Sequence, residues 1–199
     1  CTRRGITVVN TPDGNTMAAA EMSVALVYAV FRNLAQAYHA AKGKDFRRNK
    51  FVGEELDGKT AGIIGLGKIG TVVAKKLIGA GMNVVGYDPY ISDERVSSLG
   101  ITRVENLDDL FKVADLITIH IPKTPESKNL IGARELALCK KGVRIINVAR
   151  GGMIDEKALY DAIVSGHVAG AALDVQEVEP NFTKAPEDQD YYNPLLDLD

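Results

Sequence analysis

A glycine-rich turn, Gly-Leu-Gly-Lys-Ile-Gly at residues 65–70, constrains the fold of this chain more than any other feature of its sequence. It follows an apolar run from Thr60 to Leu66 that is typical of a short buried strand, and it opens a stretch of helical spacing from Gly67 to Ala80. Glycines in such a unit allow a tight turn and let a diphosphate approach the backbone N–H groups at the helix N-terminus. The turn therefore predicts a dinucleotide site, although the pattern alone also fits a turn that only packs helix against strand.

An acidic residue at the end of the next predicted strand supports the dinucleotide interpretation. The strand-like run Asn83 to Tyr87 is followed directly by Asp88, which lies 21 residues beyond Gly67. This spacing is typical of a carboxylate that accepts hydrogen bonds from the ribose of the adenosine. The same carboxylate would repel a 2′-phosphate, and no arginine follows it directly, so the sequence favours NAD over NADP. Lys68 is placed either to pair with the diphosphate or to lie on the solvated side of its helix.

Apolar runs and helical stretches alternate along the rest of the chain. Near-continuous apolar strands separated by helices predict a parallel sheet, so the expected fold class is α/β, a Rossmann-type doubly wound parallel sheet with helices on both faces. Further strands are predicted at residues 116–121, 144–148 and 168–175. The helices between them are predicted at about residues 107–113, 134–139 and 156–165.

The N-terminal region has apolar side chains at helical spacing from about Thr16 to Ala41, which predicts one long helix ending at Gly43. Its apolar residues cover more than one face, which suggests burial against the domain on one side and against a second subunit on the other. The basic and aromatic stretch Phe46–Phe51 is either a solvated loop or part of that interface. We expect a homodimer that forms through residues of about 16 to 56.

Charge and length exclude several classes of protein. The chain has 199 residues and a net charge of −2, so no general basic field draws it to nucleic acid or to an anionic membrane. Its longest apolar run, Val24 to Phe31, is far shorter than the roughly 18 residues of a spanning helix. We expect a soluble, cytoplasmic protein with one sizeable domain.

Cys1 and Cys139 form neither a disulfide framework nor a metal site, and Cys139 is expected to be a buried, inert thiol.

Several segments form a pattern that covers nearly the whole chain. They are residues 5–12 leading to 15–16 and 20–21, then 55–60, the glycine turn, 86–90, 120–122, 147–152 with Asp155, and 169–175 running to Glu179-Pro180. In this order they resemble the D-2-hydroxyacid dehydrogenase family, most closely its phosphoglycerate dehydrogenase branch.

The resemblance implies an NAD site made of the glycine turn and of residues that follow the strands. The implied residues are Gly65, Gly67, Lys68, Ile69, Gly70, Tyr87, Asp88, Pro89, His120, Ile121, Pro122, Val148, Ala149, Arg150 and Asp174. In the family's pattern the glycine turn holds the diphosphate and Asp88 holds the adenosine ribose. Residues 121–122 line the adenosine side. Residues 148–149 pass under the nicotinamide ribose, and Asp174 binds the nicotinamide amide.

The resemblance also implies two catalytic residues, Arg150 and Glu179. Arg150 would bind the carboxylate and carbonyl of a small 2-hydroxy or 2-oxo acid, a task suited to a guanidinium, and Glu179 would be the partner of a catalytic histidine. Without the resemblance, Arg150 could equally form a surface ion pair, Asp174 could cap a turn, and Glu179 would be a solvated carboxylate.

The family's catalytic histidine has no counterpart among His39, His120 and His167. In the family it lies in a Pro-His-Leu-Gly-like segment, which we expect just beyond residue 199. The family's second domain is built from both ends of the chain, and neither end is recognisable here. We therefore expect residues 1–199 to form most of an NAD-binding domain cut at both sides, with 180–199 as an acidic loop. Such a domain would bind NAD but turn over no substrate alone.

Three activities remain open for the whole protein. The resemblance favours the oxidation of 3-phosphoglycerate to 3-phosphohydroxypyruvate, a step of serine biosynthesis. A glyoxylate or hydroxypyruvate reductase is the enzyme alternative, since the residues that choose the substrate would lie in the other domain. A non-catalytic, NAD-sensing module, as in the related C-terminal-binding-protein corepressors, is the alternative from another class.

Overall fold

Strands and helices alternate from residue 60 to residue 173 in the computed structural model, which describes residues 2–11, 13–180, 183, 185 and 191–198. The strands are β1 (Thr60–Ile64), β2 (Asn83–Tyr87), β3 (Thr102–Arg103), β4 (Leu116–Ile119), β5 (Val143–Asn147) and β6 (Val168–Leu173). The helices are α1 (Thr16–Phe31), α2 (Leu34–Lys42), α3 (Lys68–Gly79), α4 (Asp93–Ser98), α5 (Leu107–Val113), α6 (Ala133–Leu138) and α7 (Glu156–Val164). Cys1, Pro12 and nearly half of the acidic loop predicted at 180–199 lie outside the described residues.

One parallel sheet contains all six strands, in the order β3-β2-β1-β4-β5-β6. Successive residues of a strand point to opposite faces. Ile63 therefore packs in one apolar cluster with α1 and α3, and Ile64 packs in a second cluster with α5, α6 and α7. Ile146 and Ile145 of β5 divide between the two clusters in the same way. Both faces of the sheet are covered, which confirms the predicted doubly wound α/β class.

The predicted long helix from Thr16 to Ala41 is wrong, because the structure has two helices, α1 and α2, bent by 66°. Asn33 lies at the break with a left-handed φ of 49°, and its side-chain amide donates to the carbonyl of Val52. The carbonyl of Phe31 accepts a hydrogen bond from the N–H of Glu54 at 2.8 Å. The apolar spacing continues across the break and so hides it, since the cause is a segment some twenty residues further along the chain.

The two helices differ in burial. α1 buries Ala20, Val27 and Phe31 against the sheet, whereas α2 buries no residue. Within the described residues no single helix is long and apolar enough to cross a membrane, and only the bent pair of α1 and α2 together has such a length and composition.

Several predicted strands extend too far at their carboxyl ends. β4 ends at Ile119 and β6 at Leu173, and β5 covers 143–147, one residue earlier than predicted. Apolar residues such as Ile121 and Val148 continue the strand-like pattern past the last paired residue, where the chain turns away from the sheet. The sequence pattern also missed α4 and the two-residue strand β3.

Cys139 is buried, as predicted. Its Sγ donates to the carbonyl of Glu135 at 3.2 Å, just after the end of α6. Burial raises the pKa of the thiol to about 12, so the thiolate needed for reaction is scarce at neutral pH.

Candidate cofactor-binding site

The predicted site segments all follow carboxyl ends of strands. The glycine turn follows β1, Asp88 follows β2, His120 follows β4, and Arg150 and Asp174 follow β5 and β6. Because every strand is parallel, these ends lie along one edge of the sheet. The strand order reverses between β1 and β4, and open α/β sheets bind ligands at such a switch point.

Each glycine of the turn meets a different environment. Gly65 has a φ of 94°, and a Cβ on it would lie 2.6 Å from Cγ2 of Ile121. A Cβ on Gly70 would lie 1.9 Å from the carbonyl oxygen of Gly65. Both glycines are thus required by the protein's own packing. A Cβ on Gly67 would meet no atom within 4 Å, so the middle glycine leaves an open space.

The start of α3 borders this open space. Gly67 is the N-cap of α3 and forms no side-chain cap, and the amides of a first helical turn have no partner inside the helix. Free N–H groups and the helix dipole together favour an anion there. The Lys68 ammonium is exposed and lies 2.5 Å from a carboxylate oxygen of Asp13. A cation at the mouth of the turn is therefore held by the segment that precedes α1.

Asp88 is tied to the glycine turn by its own side chain. One carboxylate oxygen accepts the N–H of Leu66 at 2.8 Å, and the other accepts the N–H of Tyr90 at 2.8 Å. Each oxygen retains a lone pair for a further donor. Beside the carboxylate is a cleft of about 430 Å³. Its lining includes Gly65, Gly67, Tyr87, Pro89, Ile121 and Pro122.

His120 lies between that cleft and a second one. The second cleft measures about 440 Å³, and its lining includes Asn15, Ile69, His120, Val148, Ala149 and Arg150. The Nε2 of His120 is 3.0 Å from the hydroxyl of Thr118. Burial lowers the pKa of His120 to about 4, so the imidazole is neutral at pH 7.

Arg150 projects from the turn that follows β5. Its side chain is exposed, and Nη1 donates to the carbonyl of Ala149 at 2.6 Å. No carboxylate of the described part of the chain lies within ion-pair distance of this guanidinium, so Arg150 forms no surface ion pair with those residues. Asp174 is exposed and its N–H donates to the carbonyl of Asn147 at 3.0 Å. Glu179 is exposed beyond β6.

Asn147 is a residue of this region to which the sequence assigned no role. It is 2% exposed, and its amide hydrogen-bonds to Ala149 and Arg150. The available signal was an amide side chain between apolar residues of the strand predicted at 144–148, since a buried amide needs partners.

An extended dinucleotide fits the residues present. The unfilled space at Gly67 and the free amides of α3 suit a diphosphate, and the Asp88 carboxylate has acceptor capacity for ribose hydroxyls. The apolar walls formed by Ile121 and Pro122 suit a flat base. Fold and site together define a Rossmann-type dinucleotide-binding domain.

Comparison with known proteins specifies this class. The model of the D-isomer specific 2-hydroxyacid dehydrogenase NAD-binding domain matches residues 24–198. The chain belongs to this family, and its cofactor is NAD.

Individual relatives agree with this family. The chain is 48% identical over 198 residues to D-3-phosphoglycerate dehydrogenase of Methanocaldococcus jannaschii, covering 100% of this chain and 36% of the relative. A D-lactate dehydrogenase from Aquifex aeolicus, solved with NAD and lactic acid, has a TM-score of 0.79 and 34% identity over 89% of this chain and 53% of that one. A glyoxylate reductase from Paecilomyes thermophila has a TM-score of 0.81 and 32% identity over 93% of this chain and 55% of that one. The chain thus spans about a third of the curated relative and about half of each solved chain.

Proposed function

We propose that NAD lies along the carboxyl edge of the sheet from β2 to β6. The glycine turn, with Gly65, Gly67, Lys68, Ile69 and Gly70, holds the diphosphate. Asp88, between Tyr87 and Pro89, binds the adenosine ribose, and residues 120–122 form the adenosine wall. Residues 148–150 and Asp174 hold the nicotinamide half. The observation that carries this proposal is the open space at Gly67. It lies beside the free amides of α3 and next to Leu66, whose N–H donates to the Asp88 carboxylate.

We propose further that the whole protein oxidises a D-2-hydroxy acid, with 3-phosphoglycerate as the favoured substrate. The support is the level of identity to the phosphoglycerate dehydrogenase, 48%, against 32% to the glyoxylate reductase. When bound, NAD supplies the acceptor for the hydride that leaves the substrate. The Arg150 guanidinium, free of carboxylate partners in the described residues, binds the substrate carboxylate and orients it in the second cleft.

The base that takes the hydroxyl proton is proposed to be a histidine oriented by Glu179 and supplied from outside this sequence. The three histidines present do not suit the task. His120 faces Thr118 and stays neutral with a pKa of about 4. His167 precedes β6, at the opposite edge of the sheet, where Nε2 lies 2.9 Å from the carbonyl of Leu136. His39 lies on α2 and is not among the residues that line the two clefts.

Steady-state assays of the full-length protein test this function. With NAD, turnover of 3-phosphoglycerate is expected. Arg150→Ala should abolish it, while titration calorimetry should still detect NADH binding because the glycine turn and Asp88 remain. Faster reduction of glyoxylate or hydroxypyruvate would favour the reductase alternative. NADH binding without turnover of any of the three would favour an NAD-sensing module. Residues 1–199 alone, which we propose as one NAD-binding domain, should bind NADH without turnover.

A homodimer through residues of about 16 to 56 is also proposed. The support is a set of exposed apolar side chains on α1, α2 and the segment after them: Met17, Met22, Tyr28, Leu34, Tyr38, Phe46 and Val52. Phe46→Glu should convert a dimer into a monomer in sedimentation velocity at micromolar concentration, whereas Val164→Glu on α7 should not. A monomeric wild-type mass would contradict the proposal. A cytoplasmic location of the whole protein remains a proposal, to be tested by cell fractionation.

A further inference from the structure

The last residue of β5, Asn147, bridges the turn that carries Arg150. Its Oδ1 accepts the N–H of Ala149 at 3.0 Å, and its Nδ2 donates to the carbonyl of Arg150 at 2.9 Å. Its own carbonyl accepts the N–H of Asp174 at 3.0 Å. One buried residue is therefore hydrogen-bonded to the backbone of Ala149, Arg150 and Asp174, the last of which directly follows β6.

The turn is confined on its other side as well. A Cβ on Gly151 would lie 1.6 Å from the carbonyl oxygen of Gln176, so the chain after Arg150 presses directly against the segment after β6. The Arg150 side chain is in turn bonded to the carbonyl of Ala149 at 2.6 Å. Because the guanidinium is anchored on the turn's own backbone, its direction depends on the conformation that Asn147 imposes.

We infer that Asn147 is a positioning residue for Arg150. Only a side chain of this length with both a donor and an acceptor makes the two bonds at once. Aspartate would keep the acceptor for Ala149 but would set a carboxylate oxygen against the carbonyl of Arg150. Alanine would lose both bonds and leave buried polar groups unpaired. This inference rests on the proposed role of Arg150 in binding the substrate carboxylate.

A double-mutant cycle in the full-length enzyme tests the inference. We expect Asn147→Asp to lower kcat/KM for the hydroxy acid by about 10- to 100-fold, the loss typical of a misplaced binding group. In an Arg150→Lys background the same change should cost less than about 2-fold, since coupled residues are not additive. Asn83→Asp is the matched control, because the Asn83 amide also donates to a carbonyl, that of Gly58, but at the opposite edge of the sheet.

A readout independent of activity accompanies the cycle. In cofactor-free protein, Asn147→Ala should speed deuterium exchange in peptides that span residues 148–152, because the Ala149 amide loses its acceptor, and it should leave peptides of α5 unchanged. Equal losses from Asn147→Asp in both Arg150 backgrounds, or unchanged exchange in the turn, would overturn the inference. If the wild-type protein bound no NADH and turned over no hydroxy acid, the proposed function itself would fail, and this inference with it.

Discussion

The carboxylate of Asp88 accepts a hydrogen bond from the backbone N–H of Leu66, 2.8 Å away, and so joins the end of β2 to the glycine turn after β1. The residue proposed to bind ribose therefore also shapes the turn proposed to bind the diphosphate. Removal of the whole side chain would disturb both features together. A substitution that separates them is needed to assign the charge its own effect.

Asp88→Asn makes that separation, because the amide oxygen can still accept from Leu66 while the negative charge is lost. We expect NADH affinity to fall by about 10- to 100-fold, since a hydrogen bond to a charged group contributes about 1.5 to 3 kcal/mol. The preference for NADH over NADPH should narrow as well, because the repulsion of a 2′-phosphate is removed. Titration calorimetry with both cofactors measures this, with Glu94→Gln on α4 as control. Unchanged affinity for NADH would contradict the assignment.

The glycines of the turn have two proposed roles: Gly67 leaves space for the diphosphate, and Gly70 allows close packing of the backbone. A pair of alanine substitutions separates these roles. Gly67→Ala adds a methyl group in open space and should change the free energy of unfolding by less than about 0.5 kcal/mol, yet weaken NADH binding by more than about 10-fold. Gly70→Ala places a methyl group 1.9 Å from the Gly65 carbonyl, and should cost about 3 kcal/mol of stability. Urea unfolding and NADH titration of both variants distinguish these outcomes. Normal NADH affinity of Gly67→Ala would show that the diphosphate lies elsewhere.

His120 makes the stability of the domain depend on pH. Burial lowers its pKa from 6.5 to about 4 in the folded protein, so between these values the unfolded chain binds a proton that the folded chain does not. Stability therefore rises with pH through this window, and it should fall by about 2 kcal/mol from pH 7 to pH 5 on account of this group. His120→Gln should remove that part of the dependence, whereas His39→Gln on the exposed helix α2 should not. The same pH dependence of the free energy of unfolding for wild type and His120→Gln across this range would contradict the prediction.

Arg144, a buried cation at the edge of the sheet opposite the site, yields a prediction about stability. The Arg144 guanidinium lies 4.2 Å from the centre of the Phe31 ring and 2.9 Å from Glu54. Hydrogen bonds from Lys59 and Arg144 lower the pKa of Glu54. Glu54→Gln should cost about 1 kcal/mol, a value reduced because Glu54 is half exposed.

The pH dependence of that cost identifies its origin. Since the pKa of Glu54 is lowered on folding, its contribution is present above the unfolded value of 4.5 and disappears as the pH falls through the folded value. The difference between wild type and Glu54→Gln in urea unfolding should therefore shrink in acid. Asp161→Asn, which breaks the exposed pair with Lys157 on α7, should cost less than about 0.5 kcal/mol. An equal loss of unfolding free energy in both variants would mean that the burial of Arg144 does not strengthen its pair with Glu54.

The sequence by itself determined the layered architecture and the identity of the cofactor, and it predicted the residues that are proposed to bind it. The alternation of apolar runs with helical spacing, the turn at 65–70 and the acidic residue 21 positions beyond Gly67 are local patterns, and each reports on a backbone conformation set by neighbouring residues. Five of the six strands and four of the seven helices could be placed from such periodicity.

Only the tertiary structure decided the contacts between segments that are distant in the sequence. The break between α1 and α2 depends on the Glu54 amide, which meets Phe31 from 23 positions along the chain. The Arg144 cation is paired with Glu54 across 90 positions, and the hydrogen bond between the Asn147 carbonyl and the Asp174 N–H joins the end of β5 to the residue that follows β6. Hydrogen bonds and burial of this kind join residues distant in sequence, and periodicity carries no record of them because it reflects which side of an element is buried, not what lies opposite.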